Sequence, residues 1–232
     1  MANVAKLRSL IQILLVVVIW MIAAAAGETA TVDNNSRRNL ELIAAAGRGD
    51  LPAVEKLLGE GADVGAKDGG GKTALNSAAY GSHVEVFRRL LGAGSNVNEP
   101  DNVPSAPLMT AAVRGYVEIV RLALAAEADV RSLNQYGGTA LIPACHYGHV
   151  EVVRELLKTK IDINHVNNLG WTALLETVIL GDGGAKHIEI MALLLEHGAK
   201  VNFADRDGIT PLEHARQRGY REMVQLLNST AR

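Results

Sequence analysis

Gly69-Gly70-Gly71-Lys72-Thr73 is the stretch of this chain that most resembles working chemistry. A glycine-rich turn ending in Lys-Thr can cradle phosphates with backbone N–H groups and bring a lysine to their charge. Such a loop needs a glycine five residues before Gly71, where the chain has Ala66. It also needs an apolar strand ahead of it, where Val64-Gly65-Ala66-Lys67-Asp68 stands. Nucleotide binding is therefore not expected. The seven histidines raise metal chemistry next. Zinc asks for neighbouring N or S ligands at helix spacing. His83, His149 and His187 instead occupy one matching slot in successive copies of a longer pattern. Tyr116 and Tyr220 fill that slot too, which a ligand position would not tolerate. His146, His165, His197 and His214 are scattered over other parts of the pattern. The sole cysteine, Cys145, has no internal disulfide partner and stands where other copies have alanine, so a buried structural thiol is expected. No nucleophile elbow, no paired carboxylates of one pocket and no Cys–His pair with an orienting third group stand out. The expectation is no catalytic residue, no cofactor and no metal.

The longer pattern is a period. Leu42, Leu75, Leu108, Leu141 and Leu174 stand 33 residues apart. A fixed period of this size marks stacked units, each burying its apolar face against the next. With the anchor leucine as offset zero, offset +4 is small (Ala46, Ala79, Ala112, Cys145). Offset +7 is Gly49, Gly115 and Gly148, with Ser82 in the second copy; offset +12 is apolar. Thr73 reads as the cap of a short first helix. Val84, Phe87, Leu90 and Leu91 make the apolar stripe of a second. Gly94 sits where that helix should stop, and a polar, turn-rich loop follows. Each unit is thus helix, tight turn, helix, extended loop. Leu174 to Leu212 spans 38 residues, and the five extra lie around Asp182 to Lys186. Pro143 falls just past the first turn of its helix, where a missing N–H is expected to begin to cost a hydrogen bond.

These residues resemble the ankyrin repeat. Asp205-Arg206-Asp207-Gly208-Ile209-Thr210-Pro211-Leu212 matches that family's opening nearly residue for residue, as do Gly137 to Leu141 and Gly61-Ala62-Asp63-Val64. The resemblance covers roughly Asn39 to Asn228. It implies an all-α repeat solenoid of six helix-turn-helix units with β-hairpin-like loops, and a binding role without catalysis. The expected copies are 39–71, 72–104, 105–137, 138–170, 171–208 and 209–228, with a tail at 229–232. In the family the histidine slot ties the turn between helices. The 48% hydrophobic content with only 4% aromatic suits a core of leucine, valine and alanine spread along a stack.

The N-terminus carries a separate instruction. Lys6 and Arg8 precede an apolar run from Leu10 to Ile22, broken only by Gln12, and Ala23 to Ala26 follow. A basic start, an apolar middle and a small-residue end read as a secretory signal peptide over 1–26, with 27–38 a polar linker. The alternative is an uncleaved anchor, since Leu10 to Ala26 is barely long enough to span a bilayer. Cleavage would leave 21 of the 23 basic residues against 25 acidic ones. Export and that acidic balance argue against a nucleic-acid partner. The protein is expected to be exported, periplasmic in a Gram-negative host, monomeric, and in contact with membrane only if the N-terminal segment stays.

Partners of such stacks meet the loop tips and the exposed side of the first helices, here offsets −6, −5, −3, +5 and +6. Aromatic residues are unevenly shared among them: Tyr136, Tyr147 and Trp171 fall on adjacent copies, with His146 beside them. The expected partner-binding residues are Tyr80, Arg114, Gln135, Tyr136, His146, Tyr147, Asn168, Leu169 and Trp171. Trp171 and Tyr147 are expected to be exposed in the free protein and buried by a partner, because they stand at offsets −3 and +6, which the family's plan points outward; large aromatics dominate interface energy. The partner is another protein. Rival readings are a membrane-tethered scaffold, and a small-ligand binder or enzyme accessory using the groove near His146 and His165.

Overall fold

The computed structural model describes residues 34–102 and 106–230. The segment read as signal peptide or anchor, and the 104/105 copy boundary, lie outside the described residues. Among the described residues twelve helices form six pairs: α1 (34–48) with α2 (Leu51–Gly59), α3 (Ala74–Tyr80) with α4 (Val84–Gly92), α5 (Pro107–Arg114) with α6 (Val117–Ala125), α7 (Leu141–His146) with α8 (Val150–Leu157), α9 (Ala173–Ile179) with α10 (Ala185–Glu196), and α11 (Pro211–Gln217) with α12 (Arg221–Thr230). The first helices stack in one layer from α3 to α11 and the second helices in another from α2 to α12. Among the described residues no strand forms. The expected repeat solenoid is the fold.

Each boundary has a local cause. Thr73 and Thr210 close capping boxes with Asn76 and Glu213, and Thr172 caps α9. Their oxygens satisfy N–H groups that have no intrahelical partner. The turn to the second helix needs a left-handed residue. Gly49, Gly115, Gly148 and Gly219 supply it, and Ser82 adopts the same conformation at φ 56°. The five anchor leucines are buried, Leu42, Leu75 and Leu141 completely, in one core continuous along the stack. Leu212, which holds the anchor position in the last pair, is only partly buried.

Neighbouring copies are also tied by polar groups. The Nε2 atoms of His83, His149 and His187 lie 3.0–3.1 Å from the carbonyls of Gly47, Val113 and His146. The slot therefore ties one copy's turn to that of the copy before it, and Tyr220 does the same through its hydroxyl to the Gly181 carbonyl at 3.0 Å. Within the loops, Asp68, Asn134, Asn167 and Asp205 each use Oδ1 to accept two backbone N–H groups, closing a one-rung hairpin.

Three expectations need correction. Residues 34–38, assigned to a linker, are already helical, supported by the Arg37–Glu41 ion pair one turn apart. Residues 229–230, assigned to a tail, end α12. Pro143 is the third residue of α7, within the turn whose N–H groups have no intrahelical acceptor, so it sacrifices no helix bond. It shortens the helix instead: α7 starts at the anchor leucine, whereas α3, α9 and α11 start one residue earlier. Ile142 N then donates to the Thr139 carbonyl, and the Thr139 hydroxyl loses its capping role.

Candidate functional site

Residues three and four apart in a helix share a face, so offsets +1, +2, +5 and +6 of each first helix look out together beside the loop tips. Across α3, α5, α7 and α9 these positions line a groove of about 500 Å³. Six of the nine expected residues line it: Tyr80, Gln135, Tyr136, His146, Tyr147 and Leu169. Tyr136 is 56% exposed, Tyr147 52% and Leu169 46%. Of the eight large apolar side chains exposed among the described residues, Val113, Tyr136, Tyr147, Leu169 and Leu180 belong to this one groove. Such a concentration differs from the single, scattered apolar residues that protein surfaces ordinarily carry.

The other three do not line it. Arg114 is exposed and stacks its guanidinium 5.2 Å from the Tyr80 ring centre, with Lys72 over the same ring at 4.3 Å. Asn168 joins two loop tips, its N–H donating to the Tyr136 carbonyl at 2.8 Å. Trp171, expected to be exposed, is half-buried. Its carbonyl accepts the hairpin bond from Asn167 N, which holds offset −3 on the inner arm of the loop. Lys72 and Ile209, at the same offset, are half-buried too.

The chemically unusual member of the site is Glu176, on α9, which the offset reading did not include. It is only 7% exposed, its Oε2 has no hydrogen-bond partner, and its Oε1 stands 3.7 Å from His146 Nδ1, beyond hydrogen-bond reach. Burial raises its carboxyl from the ordinary 4.5 to about 7, and the Asn167 amide offsets part of that. Burial and the nearby His187 together push the His146 imidazole down. The two groups thus face each other without a firm ion pair at neutral pH. His146 stacks on Tyr147, ring centres 4.2 Å apart and nearly parallel, which holds that tyrosine upright at the groove wall. Glu176 could have been found from sequence as the one acid at offset +2, where the other copies have Ala44, Ser77, Thr110, Pro143 and His214.

The remaining candidates are committed elsewhere. Asp68 holds Gly70 N and Lys72 N, so the glycine-rich loop spends those donors on itself. Cys145 is fully buried and burial pushes its thiol up. His165 Nε2 bonds the Gly137 carbonyl at 2.7 Å, His197 Nδ1 the Leu193 carbonyl at 2.8 Å and His214 Nε2 the Asp205 carboxylate at 2.7 Å. Among the described residues no three His, Cys, Asp or Glu side chains gather as metal ligands would, and no helix is long and apolar enough to cross a membrane.

The family model for ankyrin repeats in three copies matches residues 42–134, 108–202 and 162–231. The ankyrin repeat protein YahD of Escherichia coli K12 is 55% identical over 53 residues, 23% of this chain and 26% of its own length. Among solved structures, an ankyrin repeat domain from Acinetobacter baumannii AYE is 47% identical with a TM-score of 0.79, covering 82% of this chain and 97% of its own. The ankyrin repeat protein EF0377 is 33% identical with a TM-score of 0.77, covering 81% and 96%. A chain from the Bdellovibrio bacteriovorus complex of the predatory endopeptidase Bd0816 with immunity protein Bd3460 is 25% identical, at a TM-score of 0.71, covering 82% and 97%.

Proposed function

The chain belongs to the ankyrin-repeat family, whose repeats mediate protein–protein binding, and on that premise we propose that it is an exported module which holds an envelope protein in the groove between α3 and α9. The observation that carries this is the gathering of Tyr136, Tyr147, Leu169 and Leu180 on one concave face. Aromatic anchors in a pocket are the usual source of interface energy. The likeness to a complex of an endopeptidase with an immunity protein supports a partner of protein nature. We assign the chain no chemistry of its own: the thiol is sealed in the core, and among the described residues no catalytic set gathers around His146 and Glu176.

Export rests on the sequence of residues 1–26. Terminal sequencing of protein from its native host should give a start at Gly27. A start at Met1 with retention in the membrane would replace export with tethering.

Docking is tested by the double variant Tyr147→Ala and Leu169→Ala. Both side chains are half-exposed, so stability should stay within about 1 kcal/mol of the parent. Capture of partners from an envelope fraction should weaken by about thirtyfold or more. Unchanged capture would place the interface elsewhere, with the Asp182 to Lys186 insertion next to be tried.

A further inference from the structure

The groove holds a carboxyl group that the fold itself leaves unmatched. At the same offset one copy on, His214 has a counter-charge, the Asp205 carboxylate at 2.7 Å, supplied by its own loop. The loop residue that corresponds to Asp205 beside Glu176 is Asn167, a neutral amide. A carboxylate that is 7% exposed with an unpartnered oxygen is costly unless a cation or a donor completes it. Glu176 is also the sole carboxyl among the residues that line the groove.

Deepening the docking reading, on which this rests, we infer that the groove takes one lysine or arginine side chain of the partner polypeptide, its cationic head against Glu176 and its methylene stem along Tyr147 and Leu169. Such side chains bury their stems on apolar surface and carry the charge at the tip. Tyr147 adds an exposed aromatic ring, with His146 stacked on it and His149 tilted 6.0 Å away. At the opposite end of the groove Lys72 and Arg114 already sit over Tyr80, whose hydroxyl bonds the Asp101 carboxylate.

Binding of the cation is coupled to a proton. The neighbours of Glu176 are His146 and Cys145 from α7 and Asn167 from the loop; His187 of α10 bonds the His146 carbonyl behind them, and His214 of α11 is held by Asp205. Of these only His146 stands within 4 Å of the carboxylate, and burial and His187 disfavour its charged form. The raised Glu176 carboxyl must therefore ionise to receive the partner's charge, and affinity should grow as pH rises through about 7.

The test uses the whole expressed chain, in mild detergent if its N-terminal segment is retained. The probes are the blocked tripeptides acetyl-Leu-Lys-Leu-amide and acetyl-Leu-Arg-Leu-amide, with acetyl-Leu-norleucine-Leu-amide as the uncharged match. At pH 8 the better basic peptide should bind about tenfold more tightly than the norleucine peptide, as one charge-assisted contact supplies, and should shift the NMR signals of Tyr147 and Leu169. That preference should vanish in Glu176→Gln and shrink at pH 5.5. An equal affinity for norleucine, a preference that survives in Glu176→Gln, or no binding of any peptide in the groove overturns the inference. Should the variant fold poorly, the carboxyl carbon of Glu176 in the parent protein decides: the basic peptide must lower its titration midpoint and norleucine must not. Loss of partner capture in the Tyr147 and Leu169 double variant without any basic preference would leave docking standing and remove only the cation. Unchanged capture in that variant would remove docking itself.

Discussion

Glu176→Gln should stabilise the protein at alkaline pH and leave it unchanged at acid pH. The unfolded chain ionises this carboxyl near 4.5, and the folded chain near 7, because burial disfavours the charged form. The fold therefore prefers the protonated acid. Stability from this group is complete below the unfolded value, declines as pH rises from about 4.5 to about 7, and the penalty is full above that. Glutamine has the shape of the protonated acid and never ionises. The interval between 4.5 and about 7 corresponds to about 3 kcal/mol at most, at 1.36 kcal/mol per tenfold. Glu176 lines the groove, and partial solvation there cuts this to about 1–2 kcal/mol. Urea denaturation of parent and variant at pH 8 and pH 5 measures it. The gain should exceed 1 kcal/mol at pH 8, raising Tm by about 2–6 °C for a domain this size, and fall towards zero at pH 5. Taking the difference between parent and variant at each pH cancels other titrating groups. A variant less stable at pH 8, or one whose gain is the same at both pH values, would show that the Glu176 carboxylate is matched by a partner and that the argument from burial is wrong.

Leu157 packs on the inner stripe of α8 at 7% exposure, so Leu157→Ala should cost about 2–5 kcal/mol in chemical denaturation through lost burial and a cavity. A loss under about 0.5 kcal/mol would contradict its place in the core. Gly115 holds φ 75°, and a Cβ there would lie 2.6 Å from His149 Nδ1. Gly115→Ala should cost about 2 kcal/mol or more from left-handed strain plus the displaced histidine tie, whereas Ser82→Gly should cost nothing. Cys145 should resist thiol reagents in the native protein and react at once in denaturant, because its fully buried thiol is held in the neutral form.

The architecture was legible because a stacked repeat writes every contact locally. The 33-residue leucine period, the small residue at offset +4 and the left-handed glycine at +7 each answer to neighbours one turn or one copy away, so counting offsets places them. The same counting pointed to Tyr147, Tyr136 and Leu169 as outward-facing. Other features depend on distances that no offset contains. Trp171 shares its face in sequence with the groove, yet the hairpin rung to Asn167 sets it into the loop. The histidine slot looked like a tie within one turn, and only the stacking shows that it reaches the carbonyl of the copy before. Glu176 is an ordinary helical acid until α7, α9 and the Asn167 loop close around it. The sequence by itself determined which residues repeat and therefore which helices stack. The tertiary structure decided which polar groups of neighbouring copies meet a counter-charge and which, like Glu176, do not, because electrostatic matching depends on through-space distance and burial across copies.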